Sequence, residues 1–347
     1  MPELIVTNFN RNFTGVSATA ANVVRQHMQT YDLALAGQPL PGCPTPISKS
    51  QAISLSRQRP KDRPFTIWHV RRNTEMRAAL WARDVLRLPV KIVFTSAAIR
   101  RHSAFPRWLI SRMDAVIATT VEAASFVPNV RAIAPHGVDT DTFYPASNRA
   151  EAWSLTGFPG TQGVATIGRI RREKGTDRFV EAMIALLPSH PGLTALVLGR
   201  AARSDQAFLE RLQGKVEQAG LSDRILFPGE VPAEELPALM RALSLVVQLP
   251  RYEGYGMTPL EGMASGVPFV ATDQGYYRSF AAQGTCGVIM PDEDQQATVK
   301  TISELLHAPE RLETMSYAAQ EAAILQLSAA READEISKVY EDLWAKG

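Results

Sequence analysis

The sequence predicts an α/β protein of two domains, each built on a parallel β-sheet. Short β-branched strands alternate with helical stretches through most of the 347 residues, which is the pattern of consecutive βαβ units. The alternation stops at 136–163, a stretch rich in Gly, Pro, Asp and Ser, and then restarts. We therefore expect one domain over 1–150 and a second over 151–330. In open α/β sheets ligands bind beyond the carboxyl ends of the strands, so we expect the site in a cleft between the domains.

The period of the apolar residues predicts each element in turn. In the first half the expected helices are 17–29 and a stretch near 74–87. The expected strands of the first half are 3–8, 31–37, 65–70, 91–96, 114–120 and 130–135. In the second half, with helices between them, the expected strands are 163–168, 193–199, 224–229, 243–249 and 267–273. The remaining C-terminal residues favour helix.

Several classes of protein are not expected from this sequence. The N-terminal sequence fits a first strand and not a signal peptide, and no apolar run is long enough to predict a transmembrane helix. Cys43 and Cys286 fit no metal or redox spacing, which favours a reducing cytoplasm. Neither zinc-finger spacing nor a repeated basic-aromatic pattern is present, so a nucleic-acid partner is not expected.

The charge is divided unevenly along the chain. Residues 1–150 carry 19 Lys/Arg and 9 Asp/Glu, whereas residues 151–347 carry 18 and 26. The excess concentrates between Arg57 and Arg112, where 14 basic residues stand against three acidic ones. Such a basic domain can serve nucleic acid, an anionic membrane surface or an acidic substrate.

Residues 252–266, YEGYGMTPLEGMASG, contain two carboxylates eight positions apart. Thr258 as N-cap, Pro259 at the first helical position and Glu261 three residues after the cap would together begin a helix. One alternative for Glu261 is therefore a purely structural role in starting this helix.

Glu253 lies outside that predicted helix, in a glycine-rich loop. Gly254 and Gly256 let backbone N–H groups approach a ligand closely, and the helix N-terminus favours phosphate. Two carboxylates flanking these amides could grip the two ends of a nucleotide-sugar. The alternative for Glu253 is a solvated acid in a loop.

A basic turn follows the strand that ends near Gly168. It contains Arg169, Arg171, Arg172 and Lys174 and is closed by Gly175. Arginine and lysine at the carboxyl end of a strand are placed to bind a diphosphate, although a solvated basic loop is a common alternative.

Three further segments give weaker signals. Gly15 precedes a helix of small residues, but G-x-G-x-x-G is absent, so a dinucleotide fingerprint is not indicated. His69 ends the strand 65–70 and is either a hydrogen-bonded structural residue or a group that orients a sugar or hydroxyl. Residues 97–113 mix basic and apolar residues and predict either an interfacial segment on anionic lipid or a partly buried helix with a basic outer face. The basic residues of this segment are Arg100, Arg101, Arg107 and Arg112, and its apolar residues are Phe105, Trp108, Leu109 and Ile110.

Taken together, these segments resemble the retaining family-4 glycosyltransferases, which have the GT-B fold of two Rossmann-like domains. EGYGMTPLE matches their E-x7-E motif, and GRIRREKG resembles their G-R-x-x-x-x-K-G diphosphate turn. APHGVDTDTFYP is similar to N-G-V-D-x-x-x-F-x-P, and SGVPFVATDQGYY has a related spacing. More loosely, FNRNFTGVSATAANV and the stretch from IWHVRRN to AAIRRHS look like bacterial lipopolysaccharide core mannosyltransferases. The matches follow the family's order and span nearly the whole chain.

The resemblance implies a role for each matched residue. Arg169 and Lys174 would neutralise the leaving diphosphate, Glu253 would bind the donor sugar, and Glu261 would bind the ribose hydroxyls. His69 would lie beside the reacting sugar. The remaining residues implied in donor binding, by backbone approach, are Gly15, Gly168, Gly254, Tyr255, Gly256 and Met257.

The implied activity is retaining transfer of a hexose, with mannose from GDP-mannose as donor and a Kdo residue of the lipopolysaccharide inner core as acceptor. No metal and no further cofactor would be needed. The implied location is the cytoplasmic face of the inner membrane, and residues 331–347 would form a helix that crosses back to the first domain. Val16 stands where many relatives have a second glycine, and Arg71 where an H-x-H pattern has its second His. These departures bear on sugar and acceptor identity.

Other functions remain open from the sequence. A family-4 enzyme could use a UDP-sugar and another lipid or polysaccharide acceptor. A glycoside hydrolase could use Glu253 and Glu261 as acid and nucleophile, although the basic turn argues against it. A nucleotide-dependent oxidoreductase is disfavoured by the missing G-x-G-x-x-G, and a non-catalytic protein that binds lipopolysaccharide or membrane is the last alternative.

Overall fold

The computed structural model describes residues 1–347 and divides into two compact units. The first unit is Met1–Gly137 with Leu327–Gly347, and the second is Val138–Gln326. The expected boundaries, 150/151 and 330/331, differ from these. Arg149 bonds to the carbonyl of Gly266 and to the Ser316 hydroxyl, which holds the segment after Gly137 in the second unit.

The first unit contains a six-stranded sheet of order β2-β1-β3-β4-β5-β6, in which all pairings are parallel. Its strands are buried on both faces in the centre of the sheet, and accordingly they read as continuous apolar runs. The strands of the first unit are β1 (Leu4–Asn8), β2 (Leu33–Gly37), β3 (Thr66–Val70), β4 (Val90–Ser96), β5 (Ala115–Ala118) and β6 (Val130–Ile133). The helices between them are α1 (Gly15–His27), α2 (Lys49–Leu55), α3 (Asn73–Leu80, continued by a π-helical turn at Trp81–Val85), α4 (Ala104–Ser111) and α5 (Val121–Ala124).

The second unit contains another six-stranded parallel sheet, of order β12-β11-β10-β7-β8-β9. Its strands are β7 (Gln162–Ile167), β8 (Leu193–Leu198), β9 (Ile225–Gly229), β10 (Leu245–Gln248), β11 (Phe269–Thr272) and β12 (Gly287–Met290). Its helices are α6 (Arg149–Leu155), α7 (Thr176–Leu186), α8 (Gln206–Gln218), α9 (Leu236–Ala242), α10 (Met257–Ala264), α11 (Tyr277–Ala281), α12 (Gln295–Leu306) and α13 (Pro309–Gln326), with short 3₁₀ turns at Arg172–Lys174, Leu187–Ser189, Arg203–Asp205 and Ala282–Gly284.

The last helix, α14 (Ala329–Ala345), belongs to the first unit. Its buried face, which includes Ile336 and Tyr340, packs with Ile67 and Val93 of the sheet. Its buried Glu332 accepts from Nδ1 of His136 at 2.7 Å and from the amide of Gly137 at 2.8 Å. Through its apolar face, α14 covers one face of the first sheet. None of the helices is both long and apolar enough to cross a membrane.

The α/β prediction is confirmed, and the eleven expected strands all occur near their expected positions. The strand β12 was not predicted. It is four residues long and lies, partly exposed, at the edge of the second sheet.

Candidate active site

Two loops of the second unit lie side by side at the carboxyl ends of its strands. β7 and β10 are hydrogen-bonded neighbours, so the turn after Ile167 and the loop after Gln248 leave the same edge of the sheet. The side chain of Gln248 donates to the carbonyl of Ile167 at 3.1 Å and ties the two strand ends together. This edge is where ligands bind in open α/β sheets.

The basic turn is held in shape by contacts that local sequence does not reveal. Arg251 donates its backbone N–H to the carbonyl of Glu173 at 2.8 Å. Its guanidinium donates to the Arg172 carbonyl at 2.6 Å and to both carboxylate oxygens of Asp177 at 2.8 and 2.9 Å. A bidentate Arg–carboxylate pair has a defined geometry, and here it fixes the 3₁₀ turn that presents Lys174.

Gly175 closes this turn with a φ of +69°. A Cβ at this position would stand 1.8 Å from the carbonyl oxygen of Leu249, so no side chain fits. The close approach brings the turn against the loop that contains Glu253.

Lys174 and Glu253 form an ion pair across the two loops. Nζ of Lys174 lies 2.6 Å from Oε2 of Glu253, and the amide of Gly254 donates to Oε1 of Glu253 at 2.9 Å. Both side chains are mostly buried. The alternative of a solvated loop acid is therefore wrong for Glu253, because both carboxylate oxygens are bonded.

The helix α10 begins differently from the sequence prediction. Gly256 is its N-cap, with a φ of +94°, and no side chain caps the helix. Thr258 lies inside the first turn and donates its hydroxyl to the Ile167 carbonyl at 3.4 Å, so the predicted Thr258 cap is wrong. A Cβ at Gly256 would stand 2.1 Å from the Tyr277 ring, which requires glycine there. The first amides of α10, including that of Met257, thus have neither an intrahelical acceptor nor a side-chain cap.

Glu261 does not act as a capping residue either. It lies one turn inside α10, partly buried, and its carboxylate makes no hydrogen bond. Burial raises the pKa of this carboxyl to about 7. A carboxylate that is desolvated and unpaired is available to accept hydrogen bonds from ligand hydroxyls.

The aromatic residues near the loop support its backbone. Tyr255 is buried and stacks on Tyr276, with ring centroids 5.2 Å apart at an interplanar angle of 11°. The amide of Tyr276 donates to the Tyr255 carbonyl at 2.9 Å. Burial, together with the charge of Glu253, raises the pKa of Tyr277 well above its usual range. The predicted contribution of Tyr255 to donor binding would come from its backbone.

Gly168 and Arg169 follow β7 directly. Both are exposed, and the Arg169 side chain makes no hydrogen bond or ion pair. Gly168 has a φ of +147°, and a Cβ on the neighbouring Gly199 would stand 1.9 Å from the Gly168 carbonyl oxygen. Arg169 is thus an exposed cation without a bonded partner, close in sequence to Lys174, which is held by Glu253.

In the first unit, Gly15 is the exposed first residue of α1, and a Cβ there would meet no atom within 4 Å. The loop before it is held by Arg72, which donates to Oδ1 of Asn8 at 3.0 Å, to the Thr14 hydroxyl at 3.2 Å and to the Ser17 hydroxyl at 2.9 Å. Sequence reasoning missed this arginine, since its partners lie 55 to 64 residues away.

The fully buried Glu75 completes this network. Its carboxylate accepts from Arg72 at 3.0 Å, from the Thr7 hydroxyl at 3.1 Å and from the amide of Phe9 at 3.2 Å. It also accepts from the backbone amides of Arg71 and Arg72, at 2.8 and 3.1 Å. The only local sign of Glu75 in the sequence was a capping box, in which an acid stands three residues after the N-cap.

His69 is fully buried. Its Nδ1 bonds to the Tyr340 hydroxyl, and its Nε2 lies 2.7 Å from Oγ1 of Thr95. Burial, helped by the charge of Arg71, holds the pKa of this imidazole well below its usual value. The geometry favours the structural alternative, since neither ring nitrogen is free for a sugar.

Residues 97–113 contain the short helix α4, whose inner face buries Leu109 and Ile110. Phe105 and Trp108 point outward, 53% and 55% exposed, with their rings stacked at 6.2 Å. The helix is therefore partly buried, as one alternative stated, and its outer face is aromatic as well as basic.

Comparisons with known proteins show the family of the chain. Residues 155–322 match the model of the family described as glycosyl transferases group 1. The chain is 39% identical to the lipopolysaccharide core biosynthesis mannosyltransferase LpcC of Rhizobium leguminosarum bv. viciae, covering 98% of this chain and 96% of the relative. This chain belongs to the group 1 glycosyl transferases. It is likewise 40% identical to the lipopolysaccharide core biosynthesis mannosyltransferase LpsB of Rhizobium meliloti, over 98% of this chain and 97% of the relative.

Solved structures give the fold. The C-terminal domain of a group 1 family protein, LpcC of Francisella tularensis, is 34% identical, with a TM-score of 0.54 over 55% of this chain and 99% of that one. Anabaena Alr3699/HepE in complex with UDP and glucose reaches a TM-score of 0.83 at 15% identity, over 99% of this chain and all of that one. The predicted GT-B fold and the predicted family are confirmed. The chain is a glycosyltransferase and not a hydrolase or a dehydrogenase.

Proposed function

We propose that this glycosyltransferase moves mannose from GDP-mannose to a Kdo residue of the lipopolysaccharide inner core, with retention of the anomeric configuration. The observation that carries the donor half is the Lys174–Glu253 pair beside the uncapped start of α10. A cation, a carboxylate and uncapped backbone amides thus lie together at the carboxyl edge of the second sheet. The names of two full-length relatives support mannose and lipopolysaccharide core.

In this proposal the donor diphosphate binds to the cationic side chains of the second unit. Lys174 and Arg169 neutralise its oxygens, and the first amides of α10 add the partial positive charge of a helix N-terminus. Both favour departure of the diphosphate, an electrostatic contribution that grows as negative charge develops on the leaving oxygen.

The two carboxylates bind the ends of the donor. Glu253, held by Lys174 and the Gly254 amide, accepts hydrogen bonds from sugar hydroxyls. Glu261 accepts from the ribose hydroxyls, and those donors lower its raised pKa by stabilising the charged form. The anomeric carbon–phosphate oxygen bond breaks, the acceptor oxygen bonds to the anomeric carbon on the same face, and the acceptor proton passes to the leaving phosphate oxygen. No metal and no further cofactor is required in this scheme.

The acceptor side is proposed to be anionic and membrane-bound, at the cytoplasmic face of the inner membrane. Residues 1–150 carry 19 Lys/Arg against 9 Asp/Glu. The aromatic outer face of α4, with exposed Arg101 and Arg107 beside it, has the chemistry of a helix that rests on anionic lipid.

Product formation tests the central claim. The protein is incubated with GDP-mannose or UDP-glucose and a Kdo-bearing lipid, and the product is identified by mass. Mannosyl transfer from GDP-mannose is expected, and thermal stabilisation by GDP should exceed that by UDP. Efficient use of a UDP-sugar without mannosyl product would instead favour the second donor class, within the same family.

Vesicle binding tests the membrane claim separately. Arg101→Glu together with Arg107→Glu should weaken binding to anionic vesicles by at least about 30-fold, since each basic residue near the surface contributes about 1 kcal/mol. Arg131→Glu, an exposed arginine of β6, is the matched control. Equal binding by the double variant and the control would refute the α4 surface.

A further inference from the structure

Three neighbouring strand ends in the first unit carry buried polar groups that have no partner. Arg71 follows β3, Ser96 ends β4 and Thr119 follows β5, and β3, β4 and β5 are adjacent in the sheet. All three guanidinium nitrogens of Arg71, Oγ of Ser96 and Oγ1 of Thr119 are buried without a hydrogen bond. Such groups are rare in native proteins, and each one calls for a physical explanation.

The register places Arg71 and Thr119 on the same face of the sheet. His69 pairs with Val93, and Thr95 pairs with Ile117. Because side chains alternate along a strand, Arg71 shares the face of His69 and Thr119 shares the face of Thr95. The hydrogen bond between His69 and Thr95 shows that these two faces are one. Two strand spacings, about 10 Å in all, separate the two backbones.

The positive charge of Arg71 is not compensated by a direct partner. The carboxylates whose charge acts on the guanidinium are those of Glu332 and Glu75, and both already accept hydrogen bonds from other groups. Glu332 holds His136 and the Gly137 amide, and Glu75 holds Arg72 and the β1–α1 segment. Arg71 is only 8% exposed, and its burial lowers the pKa of the guanidinium from its usual value. A buried charge without hydrogen bonds is costly unless an opposite charge joins it.

We propose that Arg71 and Thr119 form a binding site for the carboxylate of an acidic sugar, which is the acceptor side of the reaction. The guanidinium fork matches the two oxygens of a carboxylate, and the Thr119 hydroxyl supplies a neighbouring polar contact. A single negative charge fits better than a dianionic phosphate, because Glu332 and Glu75 already lie nearby. This inference rests on the proposed function and names the chemical group by which the acceptor is recognised.

Arg71 lies at a place in the sheet where a ligand is expected. The residue lies just beyond the last paired residue of β3, at the carboxyl edge of the sheet, where ligands of open α/β sheets bind.

The test compares an acidic-sugar acceptor with its methyl ester, which has the same shape without the charge. Wild-type enzyme should prefer the acid by at least about 30-fold in kcat/KM, as expected for charge-assisted hydrogen bonds to a buried arginine. Arg71→Met should lose this preference by raising the KM for the acid, while the ester is turned over as before. Arg71→Lys should recover only part of it, because lysine lacks the fork.

Controls separate this site from a merely structural arginine. Arg77→Met, on the exposed face of α3, should keep the full preference for the acid, and thermal stabilisation by GDP should persist in Arg71→Met. Thr119→Val is a second variant and should raise the KM for the acid without changing the donor KM. If Arg71→Met does not fold, the comparison of acid with ester in Arg71→Lys and Thr119→Val decides.

Equal turnover of acid and ester by the wild type would overturn the inference while leaving the proposed function intact. Absence of transfer to any Kdo-bearing acceptor would instead refute the proposed acceptor. Preference for a phosphorylated neutral sugar over the acid would assign the anion site to phosphate and would also overturn the proposal.

Discussion

Glu261→Gln should make the protein more stable at alkaline pH while weakening donor binding. Burial raises the pKa of Glu261 from 4.5 to about 7. Between these values the folded protein holds a proton that the unfolded chain releases, so wild-type stability falls as the pH rises from 4.5 to 7. Glutamine resembles the protonated carboxyl and has no such dependence.

The expected magnitude follows from that shift. At 1.36 kcal/mol per pKa unit, a rise from 4.5 to about 7 corresponds to about 3 kcal/mol of unfolding free energy. Above pH 8 the Gln variant should be more stable than wild type by up to that amount, and below pH 4.5 the two should be equal. For a unit of this size, that is a difference in Tm of about 6–12 °C.

Calorimetry at pH 5 and pH 8 measures the effect, with Glu304→Gln, on the exposed face of α12, as the matched control. Titration with the donor nucleotide at pH 8 should show about tenfold weaker binding to Glu261→Gln, because a hydrogen bond to a charged acceptor is lost. A Tm difference that is the same at both pH values would refute the burial argument. Unchanged nucleotide affinity would refute the role of Glu261 in donor binding.

Three other predictions concern the two networks. Lys174→Ala should lower kcat/KM by at least about 100-fold, because a cation at the leaving group is lost, whereas Lys215→Ala, which removes a surface ion pair, should not; similar losses in both would contradict the assignment. Gly256→Ala should cost about 2–5 kcal/mol in chemical denaturation, from a positive φ and a clash with a buried ring; an unchanged midpoint would show that the loop can move. Glu75→Ala should cost at least about 3 kcal/mol, since it leaves the partly buried Arg72 guanidinium and two backbone amides without their acceptor, while Glu122→Ala on the exposed face of α5 should cost little; equal costs would refute the network.

Sequence reasoning located Glu253 because local structure did not explain it. A helix start accounts for many acids near an N-terminus, but Glu253 lies before the helix in a glycine-rich loop. Its partner Lys174 is 79 residues away. The two meet because β7 and β10 are neighbours in the sheet, and that adjacency follows from the topology of the whole unit.

Contacts with residues distant in the chain also explain which predictions for single residues were wrong. Thr258 has the residue type of a good N-cap, yet the helix begins earlier because Gly256 adopts a positive φ against the Tyr277 ring. His69 has the residue type of a catalytic base, yet both nitrogens are taken by Tyr340 and Thr95. Residue type and spacing predict what a side chain can do, and only its neighbours decide whether it is free to do it.

Local periodicity and short motifs were enough to predict the α/β class, eleven of the twelve strands and the glycine-rich loop that contains Glu253. Three features appear only in the folded chain: the pairing of Lys174 with Glu253, the raised pKa of Glu261, and the unpartnered guanidinium of Arg71. Ion pairing and burial depend on distances between segments that are far apart in the chain. Those distances exist only after the sheet has formed.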